Sequence, residues 1–297
     1  VQIETFKVFR DLVESTSFSK AAEANGITQS AVSQQVRALE RKFDVQLIER
    51  GKRAFQLTAE GEIFLAASRN ILDAYEDLAG RIRKGVPVID GRVRIATVYS
   101  IGLHELPPYL RAFRKHHPGV EVKIDYCRYS EVYDAVRDGS CDLGLVAFPA
   151  RKAGLKVMTF WRDKLVFICG PGHRLAKKKR AALRDAVGEK FVAFEPDLPT
   201  RKEIDKRLRA RGVRIKPILE FDNIETVKRA VEIEDAVSIV PEICVRDEVR
   251  GDTLTAVEID EPEMWRPLGA VVRRTTAPTP ALKEFLAMLE KTELGRL

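Results

Sequence analysis

Five side chains with hydrogen-bonding ends stand close together between residues 29 and 37: Gln29, Ser30, Ser33, Gln34 and Arg37. An amide bonds adenine through two atoms, a guanidinium bonds guanine in the same way, and a hydroxyl serves base edges or phosphates. Wound as a helix from Val32 at 100° per residue, Val36 falls near 40° and Leu39 near −20°, one apolar face. Ser30, Ser33, Gln34, Arg37 and Arg41 fall between about 100° and 200°, on the other face. That second face carries no carboxylate, and Glu40 lies off to its edge. Its small Ser and Ala residues let the backbone approach a groove closely. Gln29 sits nearer the edge of the wheel and reaches DNA when the helix enters N-terminus first. The pattern predicts a helix packed by one face and reading DNA with the other.

The elements around it fit that use. Ile3, Phe6, Phe9, Leu12 and Val13 recur at helical intervals and predict a first helix. Ser19 is read as the N-cap of a second, ended by Asn25-Gly26, and Thr28 as the cap of a third running to about Lys42. Helix, Gly-containing turn and helix outline a helix-turn-helix. Two short alternating stretches around Gly51 predict a hairpin with Arg50, Lys52 and Arg53 near its tip. From Ala59 a proline-free run places Phe64, Ile71, Tyr75, Leu78 and Ile82 at spacings of seven, four, three and four. That seam predicts a helix of about 36 Å that pairs with a second copy of the chain. Residues 85–91 read as a linker. Beyond them, strand-like runs such as "VRIATV", "VEVKIDYC", "DLGLVAF", "KLVFICG", "IKPILEF" and "VSIVP" alternate with helical ones, predicting a sheet covered on both sides and two α/β lobes.

Composition narrows the classes. The chain has 297 residues, 45% hydrophobic and 32% charged, with no apolar run of membrane-spanning length and no signal-peptide pattern at its start. A cytoplasmic protein without a membrane partner is expected. Net charge is +7, yet residues 1–58 hold nine Lys/Arg against seven Asp/Glu. The basic runs at 174–180 and 201–216 read as solvated surface. Cys127, Cys141, Cys169 and Cys244 make no Cys-x-x-Cys pair, and the four histidines add no metal spacing, so no metal and reduced structural thiols are expected, with a redox-sensing pair as the alternative. No Gly-x-Ser-x-Gly, phosphate loop or dinucleotide fingerprint appears. An enzyme is therefore disfavoured, and no catalytic residue or cofactor is expected. An architectural DNA protein leaves about 200 residues of cleft-forming fold unexplained.

The stretch "FSKAAEANGITQSAVSQQVRALERKFDVQLIERGKRAFQLTAEG" resembles the winged helix-turn-helix of LysR-type transcriptional regulators almost position for position. The Ser-x-Ala-Ala helix, the Thr-Gln-Ser-Ala-Val-Ser start and the Leu-Thr-x-x-Gly exit keep uninterrupted spacing. "VRIATVYSIGLHELPPYLRAFRKHHPGVEV" and "DGSCDLGLVA" continue the likeness more weakly. The resemblance implies a winged helix-turn-helix over 1–58, a dimerising linker helix over 59–86, and a two-lobed, periplasmic-binding-protein-like effector domain over 91–297. It implies a homodimer or homotetramer on an interrupted dyad of double-stranded DNA with a T/A-rich core, contact with RNA polymerase, and a small-molecule effector between the lobes. Ser19, Thr28, Gln29, Ser30, Ser33, Gln34 and Arg37 match the DNA-facing helices, and Arg50, Lys52 and Arg53 the wing. Ser100 falls where the family holds an effector carboxylate, with Ile101 and Gly102 offering backbone N–H groups. Ser130, Phe148, Thr200 and Arg201 complete the expected effector set, which favours an anion. One departure is "EIEDAVSIVPE", where Glu234 and Ala236 replace the family's glycines.

Overall fold

The computed structural model describes residues 2–49, 55–82, 89–262 and 264–291. Four helices open the chain: α1 (Ile3–Ser15), α2 (Phe18–Ala24), α3 (Gln29–Phe43) and α4 (Ala59–Ile82). Val8, Phe9, Leu12, Ala21, Val32, Val36, Leu39 and Leu65 form their core. Thr28 caps α3 as expected, accepting from the Ala31 amide at 3.1 Å. The cap of α2 is Ser17 and not Ser19: Ser17 is extended and accepts from Lys20, which places Ser19 inside the helix on its exposed side. Phe18 can then pack on the core and meet Phe55 edge-on. The expected hairpin survives as Ile48 bridged to Leu57, with the Glu49 amide on the Gln56 carbonyl. Arg50, Lys52 and Arg53 lie outside the described residues.

Phe64 leaves the expected seam of α4. It stacks on Phe6 and meets Phe9 and Phe43 edge-on, so it belongs to the helical core. Ile71, Tyr75, Leu78 and Ile82 do form an exposed apolar stripe, Ile82 to 67%. The helix starts where it does because Thr58 accepts from the Gly61 amide. A Cβ on Gly61 would stand 2.1 Å from the Leu47 carbonyl oxygen, so only glycine fits the crossing.

The remaining chain contains β1 (Gly91–Thr97), α5 (Leu106–His116), β2 (Val120–Tyr126), α6 (Tyr129–Arg137), β3 (Leu143–Ala147), β4 (Leu155–Cys169), β5 (Arg180–Ala181), β6 (Val192–Phe194), α7 (Pro199–Ala210), β7 (Leu219–Phe221), α8 (Ile224–Glu234), β8 (Ser238–Pro241), α9 (Arg246–Arg250), β9 (Thr255–Ile259), β10 (Trp265–Arg273) and α10 (Pro280–Lys291). The main sheet runs β2-β1-β3-β10-β4-β9-β5, with β8 also on β4 and a separate β6-β7 pair. In lobe I, α5 and α10 cover one face through Phe113, Leu282 and Phe285, while Val132, Tyr133 and Val136 of α6 cover the other. Lobe II packs Phe167, Val192, Ile204, Val227 and Val240 into its own core.

Strand β4 differs from the sequence expectation, which placed only "KLVFICG" in a strand. Its fifteen residues are continuous: residues 155–164 pair with β10 in lobe I, and the remainder pairs with β8 and β9 in lobe II. The charged stretch Arg162–Lys164 hides this continuity in the sequence. Asp163 is tolerated mid-strand because Arg266 of β10 lies directly opposite.

Candidate functional site

The exposed side of α3 is the one the wheel predicts. Val32, Val36 and Leu39 are buried, whereas Gln29, Ser30, Gln34, Arg37 and Arg41 are exposed and Ser33 is half-buried. Glu40, at the edge of that face, is buried and accepts from the Leu47 amide at 3.0 Å, holding the chain where it leaves the helix. Gln34, Arg37 and Arg41 border a shallow recess at that exit. A rigid face of amides, hydroxyls and guanidinium presented by a packed helix is what groove reading requires.

A second site lies between the lobes, where a cavity of about 290 Å³ opens beside the β4–β10 crossover. Four helices begin at its wall. Tyr99 and Ser100 start the turn leading to α5, while α6, α7 and α8 begin at Tyr129, Pro199 and Ile224, all of which line the cavity. Helix N-termini carry partial positive charge, so their convergence favours an anion, and at α8 the Glu225 and Thr226 amides are already taken by the Asn223 side chain. Ser100, Ser130 and Thr200 all reach the wall. Thr200 is 8% exposed, and its hydroxyl has no hydrogen-bond partner among the described residues.

Ile101 and Gly102 do not supply free amides, because both already donate to the Val98 carbonyl, at 3.1 and 3.0 Å. Gly102 serves close packing instead: a Cβ there would come within 2.5 Å of the Tyr126 ring. The amides without an intrahelical acceptor are two residues earlier, at Tyr99 and Ser100. Phe148 also stands off the cavity. Its backbone is left-handed, with φ 49°, its amide donates to Pro267, and its carbonyl accepts from Tyr129. Arg201 is committed elsewhere, to Asp205, Glu220 and the Phe194 carbonyl, so the structure does not bring it to the cavity wall.

Behind Ser100 stands a buried group that the sequence reading missed. Arg266 is 2% exposed, lines the cavity, donates from Nη1 to the Ser100 hydroxyl at 2.9 Å, and pairs with Asp163. Glu105, 3% exposed, completes the cluster. Burial, then its hydrogen bond to Asp163, pushes the Glu105 carboxyl up to about 9, so it is neutral at pH 7. Glu105 sits in a π turn, Ile101–Glu105, where the Leu106 amide bonds the Ile101 carbonyl five residues back. Pro107 and Pro108 follow at once; they have no N–H to continue the helix and their rings crowd the preceding carbonyls, so the helix widens there.

The lobes are tied across the cleft. Arg128 of lobe I reaches Asp222 at 2.9 Å and Glu195 at 3.4 Å, and His104 meets Glu225 at 2.8 Å. Lys228, nearly fully buried, holds Glu225 and Glu248 and donates to the Cys244 carbonyl. The cross-cleft partners were not legible in the sequence, since each pair joins residues more than sixty positions apart. Burial raises the thiol pKa at all four cysteines, to about 12 at Cys141 and about 11 at Cys169, which works against thiolate chemistry. Among the described residues there is no group of His, Cys, Asp and Glu able to hold a metal, and no helix long and apolar enough to cross a membrane.

Comparison with known proteins matches both parts of the chain to known domains. Residues 3–62 match the family described as bacterial regulatory helix-turn-helix protein, lysR family, and residues 88–293 match the LysR substrate binding domain. The HTH-type transcriptional regulator CysL of Bacillus subtilis is 26% identical over 294 residues, covering 99% of this chain and 98% of its own. Among solved structures, a full-length OxyR from Pseudomonas aeruginosa superposes with a TM-score of 0.80 at 17% identity, over 99% of both chains. Full-length CbnR complexed with its target DNA gives 0.69 at 20% identity, over 98% of this chain and 99% of that one. At these identities the solved structures speak for the fold: an N-terminal helix-turn-helix carried on a two-lobed domain.

Proposed function

Because the chain belongs to the LysR family of DNA-binding transcriptional regulators, we propose that it responds to a small anionic effector held between the lobes. The observation that carries this reading is the convergence of four helix N-termini, Ser100 and buried Arg266 on one cavity. On the DNA side, Gln29, Ser30, Ser33, Gln34 and Arg37 are the readers, with Thr28 fixing the helix start and Ser19 exposed on α2. The exposed stripe of α4 supports pairing with a second copy, as a homodimer or within a homotetramer, and a two-fold pair reads an interrupted dyad. Contact with RNA polymerase is part of the same proposal. Turnover of the effector forms no part of this reading.

The mechanism follows from what the effector touches. A ligand shifts a balance between two arrangements only by binding one of them better. Here the cross-cleft pairs Arg128–Asp222 and His104–Glu225 hold the lobes together without ligand. An anion at Ser100 draws on Arg266 and Thr200, one from the lobe crossover and one from lobe II, and so favours a different degree of closure. Because α4 joins the lobes to the reading heads, a change in closure alters how two heads are spaced on DNA.

A thermal-shift screen of the full chain tests the effector half, with small carboxylates, aromatic acids, phosphate and sulfate on the native protein beside Ser100→Ala. A ligand at 100 times its Kd stabilises by about 2.7 kcal/mol. Stabilisation lost in Ser100→Ala supports the cleft, and absence of any anion effect refutes the anionic reading. For the DNA half, binding-site selection followed by mobility shifts is expected to show Arg37→Ala losing about 1–3 kcal/mol on the selected site. Unchanged affinity and sequence preference would remove Arg37 from the readout.

A further inference from the structure

The two walls of the cleft differ in sign. The lobe I wall and the crossover carry Arg128, Lys152 and Arg266, whereas the lobe II wall carries Glu195, Asp197 and Asp222 against Lys202 alone. We propose that the effector is dipolar, an α-amino acid or a close amino-acid derivative, with its carboxylate at Ser100, Thr200 and Arg266 and its ammonium on the acidic wall of lobe II. The proposal rests on the reading of the cleft as an anion-binding effector site and adds the second pole.

The inner end is suited to an oxyanion. Arg266 occupies the Ser100 oxygen as acceptor, which leaves the Ser100 hydroxyl proton free to donate into the cavity. Opposite, the unpartnered Thr200 hydroxyl, more than nine-tenths buried, offers a second donor. The outer end is not suited to one. Arg128 is the one guanidinium there, and its charge is already spent on Asp222 and Glu195. An anion that recruited Arg128 would draw it off those two carboxylates and leave Lys202 as the one other cation on that wall among the described residues. Asp197 is exposed and has no ion-pair partner among the described residues. Lys152 does not offset it, because its ammonium lies over the Tyr133 ring, 4.3 Å from the centroid. A ligand ammonium answers this wall: it adds a cation beside three carboxylates that share one engaged arginine and Lys202. Like charges suppress wrong partners more strongly than matching charges add affinity, so the acidic wall acts mainly as a filter against simple acids and diacids. At about 290 Å³ the cavity stands at the small end of the usual range for small-molecule sites, which suits a molecule of amino-acid size.

The test is calorimetric titration of the full chain with the common L-amino acids, each beside the acid that lacks only the amino group, such as L-glutamate beside glutarate and L-phenylalanine beside 3-phenylpropionate. The expected result is at least one amino acid that binds about tenfold or more tighter than its desamino partner. Asp197→Asn combined with Asp222→Asn is expected to erase that preference, and Asp197→Asn alone, at an exposed unpaired position, to weaken it without affecting folding. Desamino acids binding as tightly as their amino acids would overturn the dipolar assignment and leave the anionic cleft standing. A preference that survives the double substitution would also overturn it. If neither series binds, the proposal falls, and phosphate and sulfate titrated alongside decide separately whether the cleft takes anions.

Discussion

Replacing Glu105 with glutamine should stabilise the protein at neutral pH, although it removes an acid from the middle of a polar cluster. The Glu105 carboxyl is raised from an ordinary value near 4.5 to about 9, by burial first and by Asp163 second. A group whose folded pKa lies above its unfolded one contributes stability that is complete below about pH 4.5 and drains away as pH rises toward 9. Each pH unit in that window costs about 1.4 kcal/mol, so by pH 7 the wild type has lost about 3 kcal/mol relative to its acid limit. Glutamine has the same shape, is neutral at every pH, and can donate an amide N–H to Asp163 where the protonated acid donated O–H. Glu105→Gln therefore escapes the loss. Urea unfolding of both proteins at pH 5, 6, 7 and 8 is the assay, following the transition of the lobes by tryptophan fluorescence from Trp161 and Trp265. The difference between the curves should grow in favour of the variant by about 1.4 kcal/mol per pH unit. Parallel profiles across that range would refute a neutral Glu105, and a variant that loses ground as pH rises would reverse the sign of the reasoning.

Three other perturbations follow from the same packing. Arg266→Met strands Asp163 in a buried strand and is expected to cost about 3–5 kcal/mol in urea unfolding, with much of that recovered in Arg266→Met combined with Asp163→Asn. Gly61→Ala drives a methyl into the Leu47 carbonyl, so a loss of about 1–3 kcal/mol should appear in the melting of the helical domain. Leu78→Arg places a charge in the exposed stripe of α4, and sedimentation should show the oligomer shifting toward monomer, whereas an unchanged mass would exclude that stripe as the pairing face.

The DNA-facing half was legible because its rules are local. Helical periodicity placed Val32, Val36 and Leu39 inside and Gln34 and Arg37 outside, and a threonine before an apolar repeat marked the start of α3. The same local rules misplaced one cap, since Ser17 and Ser19 both precede Ala21 and only the packing of Phe18 separates them. The cleft was legible through Ser100, Ser130 and Thr200, each at the start of a helix. Its charges were not. Arg266 meets Ser100 across 166 positions and Asp163 across 103, and Arg128 meets Asp222 across 94. No periodicity in a chain reports which arginine crosses to which carboxylate once strands are paired. The π turn was foreshadowed by Leu106-Pro107-Pro108, but the burial of Glu105 depends on β4 and β10 lying beneath it.

The single strand β4 sets a limit on how such a protein diversifies. Since one uninterrupted run of backbone supplies the edge strand of lobe I and a central strand of lobe II, neither lobe can be exchanged as a unit without tearing open the hydrogen-bond ladder of the other. New ligand preference must then arise by point changes on the walls, residue by residue, while the crossover stays fixed. The buried cluster at that crossover is a common anchor against which successive wall designs are tried.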